Sequence, residues 1–188
     1  MKKYLIISAI VILAVVAVFA AEYHVNKNKN NSVKFISDAP VEDFEGKTDK
    51  IDGYIMIDKI EELTGAEMYF EVDLNSIDTG IGLRNRHMRE DYLHTDKYPF
   101  THFEGKIVES KMESKGKYKV KASGKMFIHG VTKNISVDGT VQYAEDGYRV
   151  ITTFPIKLTD YEVEVPSFMF MKISETMQLE LDFFVKKA

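Results

Sequence analysis

"AEMYFEVDLNSI" (66–77) alternates strictly, with Met68, Phe70, Val72 and Leu74 on one face and Glu67, Tyr69, Glu71 and Asp73 on the other. A period of two marks a strand with one buried face, because successive side chains of an extended chain point to opposite sides. The rule recurs downstream. "KYKVKASGKMFI" (117–128) gathers Tyr118, Val120, Ala122, Gly124, Met126 and Ile128 opposite four lysines. "TMQLELDFFV" (176–185) gathers Met177, Leu179, Leu181, Phe183 and Val185. Shorter alternating runs lie at 33–36, 51–57, 103–107, 134–143 and 148–158, several bounded by glycine-containing turns such as "AEDG" at 144–147.

About eight antiparallel strands with one apolar face must cover that face, and closing the sheet on itself also removes its exposed edges. The expectation is an all-β, lipocalin-like eight-stranded antiparallel barrel, whose interior is just wide enough for a small ligand. A two-sheet sandwich has the same strand pattern and stays open at this level. "GLRNRHMREDYL" (82–93) abandons the alternation and reads as one short helix capping the barrel. It brings Leu83, His87 and Met88 near one side, with Tyr92 a turn further on. "EVPSFMFMKISE" (164–175) also breaks the pattern and reads as a loop.

The 188 residues suit one domain plus a targeting segment, and 45% hydrophobic content supplies a sizeable core. A net charge of −4 with no basic stripe argues against a nucleic-acid partner. Cysteine is absent, which excludes disulfides, thiolate chemistry and a lipidated amino-terminal cysteine. "MKKYLIISAIVILAVVAVFAAEY" (1–23) opens on Lys2 and Lys3, runs apolar from Tyr4 to Ala21 and ends in small residues. Residues 1–21 therefore read as a signal peptide or an N-terminal membrane anchor, with cleavage near Ala20 favoured. Either way the lysines stay cytoplasmic and the rest is exported, periplasmic or extracellular. Membrane contact is expected only through residues 4–21, if they are retained. The polar run at 22–31 reads as a tether, and residues 32–188 as the barrel domain.

His87, His94 and His102, with Asp91 and Asp96 nearby, invite a metal reading. Their spacing spans a helix end, a proline turn and a strand, without the short ligand pair that metal sites use, so no metal or other cofactor is expected. Ser76 and Ser123 lack a nucleophile-elbow pattern and the acids are scattered, so no catalytic residue is expected and the protein does not read as an enzyme. Arg84, Arg86 and Arg89 read first as the solvated face of the capping helix. They also stand where an anionic headgroup at the barrel rim would need cations.

Two ordered motifs carry a family resemblance. "VDLNSIDTG" (72–80) followed by "RNRHMREDYLHTDKYPFTHFEG" (84–105) resembles the YceI-like family of exported lipid-binding β-barrels. Ser76, Ile77, Thr79 and Gly80 match its turn, and Arg84, His87, Met88, Tyr92, Lys97, Tyr98, Pro99 and Phe103 match the helix and strand that follow. "SGKMFIHGVTKNISVDG" (123–139) matches a second strand-turn-strand pattern through Gly124, Met126, Ile128, His129, Gly130, Val131, Thr132 and Lys133. The likeness runs from about residue 32 to 186. Departures are Asn85, where the pattern has Asp, and Met88 and Met126, where it has Leu.

The resemblance implies an extended barrel whose lumen holds an isoprenoid or another long-chain amphiphilic lipid noncovalently, for carriage or storage. On that reading the lumen is lined by Met68, Phe70, Val72, Leu74, Phe103, Val120, Met126, Ile128, Met177 and Leu179, where adaptable methionines suit an irregular apolar ligand. Two other classes remain open: a ligand-free interaction or scaffold barrel with a filled core, and a metal-dependent hydrolase. The sequence leaves open whether the barrel forms a homodimer.

Overall fold

A computed structural model describes residues 21–37, 44–57, 62–165, 167–168, 171–172 and 174–188. Its strands are β1 (Ala21–Val25), β2 (Ser32–Ser37), β3 (Phe44–Thr48), β4 (Ile51–Ile57), β5 (Glu67–Asp73) and β6 (Phe100–Ser114). They continue with β7 (Lys117–Ile128), β8 (Val131–Ala144), β9 (Gly147–Lys157), β10 (Ser167–Phe168), β11 (Met171–Lys172) and β12 (Thr176–Lys187). Every ladder is antiparallel, and β12 returns to pair with β1, so the ring β1-β4-β5-β6-β7-β8-β9-β12 closes. This is the expected eight-stranded barrel, and closure decides against the sandwich.

The first two staves are each broken in two. β1 and β2 both run antiparallel to β12, and β3 and β4 continue each other beside them. Each stave thus neighbours the next in sequence, an up-and-down meander without crossovers.

Residues 22–31, read as a tether, are instead built into the wall: Ala21–Val25 is a strand and the asparagine-rich turn after it is docked. The Asn26 and Phe184 backbones bond directly at 2.7 Å, the Phe184 N–H donates to Asn31 Oδ1 at 3.0 Å, and Asn31 Nδ2 donates to the Asn26 carbonyl at 3.1 Å. Asparagine side chains replace ladder partners where the strand is interrupted, so a polar run can be structured. Of the 1–21 segment only Ala21 lies among the described residues. Within 164–175, read as a loop, β10 and β11 form a short ladder.

The mouth of the barrel is the end where β5, β7 and β9 finish. Between β5 and β6 the chain crosses it as α1 (Gly82–His87), which widens over Met88–Tyr92 into a turn closed by Leu93 N–H on the Met88 carbonyl. The opposite end is packed solid by Tyr23, Ile57, Leu63, Ile107, Tyr118, Tyr148 and Val185. Midway, Gly105 and Gly124 face each other across β6 and β7. A Cβ on Gly105 would sit 2.5 Å from the Ser123 carbonyl and 2.8 Å from the Phe103 ring, so the glycine lets that ring fold back along its own strand.

Candidate ligand-binding cavity and its lid

The inward faces of the staves do not meet at the barrel centre. They enclose a cavity of about 580 Å³, open toward α1, whose walls are almost wholly apolar. All ten residues expected in the lumen line it. Val72, Leu74, Met126 and Met177 are buried; the other six are partly exposed although they point inward, because the space before them is unfilled. The two methionines that depart from the family pattern, Met88 and Met126, both lie in the lining.

The lid is fixed by a polar knot that sequence reading missed. Asn85 Oδ1 accepts from the Thr79 N–H at 2.8 Å and from its hydroxyl at 2.6 Å, and Asn85 Nδ2 donates to Asp78 Oδ1 at 2.8 Å. Gly80 N–H donates to the same carboxylate oxygen at 2.8 Å. These bonds, the Asn85 one foremost, hold the Asp78 carboxyl below the usual carboxylate range. The carboxamide both accepts and donates, which a carboxylate at 85 could not do. A short polar residue six positions after Thr79 and seven after Asp78 is the signal that could have shown the knot.

The three arginines separate. Arg84 alone lines the cavity. Its Nε donates to Thr79 Oγ1 at 3.0 Å, its Nη2 to the Thr79 carbonyl at 2.7 Å, and its guanidinium lies 4.7 Å from the centre of the Phe44 ring. Arg89 donates to the Asn75 carbonyl at 3.2 Å, away from the lumen, and Arg86 is exposed outside it. Leu83, His87, Met88 and Tyr92 share the cavity side as the helical reading placed them. Leu83 is nevertheless 56% exposed, because it sits at the open rim.

The histidines also separate. His102 is stacked on the barrel exterior, its ring centre 5.5 Å from Tyr69 and 4.8 Å from Phe127. The Tyr69 hydroxyl beyond it, desolvated and donating to Glu71, is pushed up to about 12. His94 pairs with His129, while His87 faces the mouth. Among the described residues no three histidine, aspartate or glutamate side chains converge as a metal site.

The geometry defines a class: a lidded, single-sheet β-barrel with an apolar lumen closed at one end. The chain belongs to the YceI-like domain family, whose model matches residues 23–185. It is 24% identical over 155 residues to a UPF0312 protein of Vibrio parahaemolyticus, covering 78% of this chain and 79% of that one. Among solved structures, the fold is similar to BcnA of Burkholderia cenocepacia, with a TM-score of 0.71, 19% identity, and coverage of 85% of this chain and 98% of that one. It is also similar to a polyisoprenoid-binding domain from Saccharophagus degradans implicated in plant cell wall breakdown, with a TM-score of 0.68, 21% identity, and coverage of 90% and 99%.

Proposed function

We propose that this protein binds the chain of an isoprenoid or similar long amphiphilic lipid, noncovalently, in the barrel lumen, and carries or stores it outside the cytoplasm. The observation that carries the reading is the 580 Å³ apolar cavity reached through the lid. A scaffold barrel has no reason to keep such a void, since filling it with side chains would add dispersion contacts and stability. Each methylene buried is worth about 0.8 kcal/mol. A cavity-filling chain therefore offsets an association cost of roughly 4–15 kcal/mol without any covalent bond. The structural likeness to a polyisoprenoid-binding domain supports the same ligand class. Export rests on the sequence of residues 1–21, and Arg84 at the cavity wall is the candidate headgroup contact.

Native mass spectrometry of protein purified from its own host tests the proposal. The expected result is a retained mass in the range of a long-chain lipid, released by organic solvent. Empty protein in repeated preparations, with no uptake of prenols or fatty acids, would overturn it.

A further inference from the structure

The lumen is not a plain cylinder. Phe70 of β5 and Phe183 of β12 meet edge to face, with ring centres 4.8 Å apart and planes at 66°. Their strands are three places apart in the ring, separated by β4 and β1. The contact therefore spans the lumen rather than running along one wall.

Cavity lining continues on both sides of this bridge. Val72 and Leu74 lie toward the mouth, Phe103 and Met126 stand in register with Phe70, and Met68, Ile107 and Val120 lie toward the closed end. Met68 and Val120 point inward in the closed half, yet neither is fully buried, so space remains behind the rings. On the facing wall β7 and β8 contribute Ala122 and Gly139 to the lining, small residues that leave a passage beside the aromatic pair. Phe183 is fixed, at 2% exposure within the closed-end cluster, whereas Phe70 is only packed against that cluster from the cavity side. One ring is anchored in the core, and the other closes a constriction from the cavity side.

Resting on the lipid-binding reading, we propose that Phe70 against Phe183 is a depth gate that sets the length of chain the protein selects. The lumen is closed at its far end by the packed cluster, so it encloses a chain of limited length. A chain that fills it must thread past the bridge. A much longer one runs out of lumen and leaves part of itself in water, where it gains nothing from burial. Trimming the gate lengthens the accessible channel, and filling the facing wall shortens it.

The test is a set of affinities for farnesol, geranylgeraniol and solanesol, three prenols of increasing length and identical headgroup. For the native protein we expect geranylgeraniol to bind more tightly than farnesol, with no further gain for solanesol. Phe70→Ala should improve solanesol relative to farnesol by about tenfold or more, since a few newly buried methylenes suffice for that. Ala122→Phe narrows the passage from the other wall. It should weaken geranylgeraniol by about tenfold while leaving farnesol within about twofold. It keeps the test decisive if the loss of the Phe70 ring destabilises the barrel. Length preferences unchanged in Ala122→Phe and in any folded Phe70 variant would overturn the gate and leave lipid binding intact. A native protein that binds none of the three prenols, and none of the fatty acids, would instead overturn the lipid reading itself.

Discussion

His94 Nδ1 and His129 Nε2 meet at 2.9 Å and tie the lid's exit to the β7–β8 turn. The other nitrogen of His129 lies 3.3 Å from the Tyr161 carbonyl, which can only accept, so His129 Nδ1 carries the hydrogen. In the neutral pair His129 Nε2 is then the acceptor and His94 Nδ1–H the donor. One imidazole thus joins three segments of the mouth. Both residues hold left-handed backbone, with φ of 44° at His94 and 52° at His129, a conformation that costs non-glycine residues about 1–2 kcal/mol.

That strain gives a prediction with two arms. His129→Ala removes the link and keeps the strained turn, so amides at the lid's exit, Leu93 and Thr95, should exchange about tenfold faster, equivalent to roughly 1.4 kcal/mol of lost local protection. His94→Gly loses the same bond but relaxes the backbone, and should cost less global stability than His94→Ala. Hydrogen exchange followed by NMR reads the first, and denaturant melts the second.

The Asn85 knot predicts a pH signature. The folded pKa of Asp78 lies below its unfolded value, so its bonds contribute fully above about pH 4 and are lost as pH falls through the lower, folded value. Asn85→Asp replaces the donor to Asp78 with a second carboxylate at the same place, where two like charges cannot both be held cheaply. The variant should melt below the native protein at pH 7, and the gap should shrink as pH falls toward 5 and one carboxyl takes a proton. Melting temperatures of both proteins from pH 4 to 8 check this; a gap that widens on acidification would contradict it.

Stability and binding should come apart between the two halves of the barrel. Ile57 is 2% exposed in the packed end and stands outside the cavity lining, so Ile57→Ala should cost about 2–5 kcal/mol of folding stability. The Phe103 ring faces unfilled lumen and already lacks neighbours on one side. Phe103→Ala should therefore lie at or below about 3 kcal/mol, the lower end for buried aromatics, while weakening prenol binding more than Ile57→Ala does. Urea melts beside prenol titrations separate the two effects.

Period two made the lumen face legible because burial of one face is what fixes a strand's register. Met68 through Leu74, and Met177 with Leu179, needed no tertiary information. Ala21–Val25 was not legible, since "AEYHV" is short and runs straight into "NKNKNN", and its order depends on Asn31 reaching Phe184, 153 positions away. Arg84, Arg86 and Arg89 looked equivalent because all three fall within two turns of helix. Only the fold shows that Thr79 and Phe44 draw Arg84 inward and Asn75 draws Arg89 away.

That separation yields the last prediction. A ligand phosphate at the mouth would meet Arg84 at the cavity wall, while Arg86 stays in solvent. Charged hydrogen bonds are worth about 1.5–3 kcal/mol when partly shielded and much less when fully solvated. Arg84→Met keeps the stem's bulk beside Phe44 and removes the charge. It should weaken geranylgeranyl phosphate by about tenfold or more while changing geranylgeraniol, of equal chain length, by less than about threefold. Arg86→Ala should leave both within about twofold, since a solvated cation contributes little. Phe70→Asp should damage both ligands alike by placing an unpaired charge in the apolar channel. Calorimetric titration of the two ligands against these variants supplies the comparison. Equal losses of both ligands in Arg84→Met would show that the guanidinium only braces the Thr79 turn, and the headgroup role would be withdrawn while the lumen assignment stood.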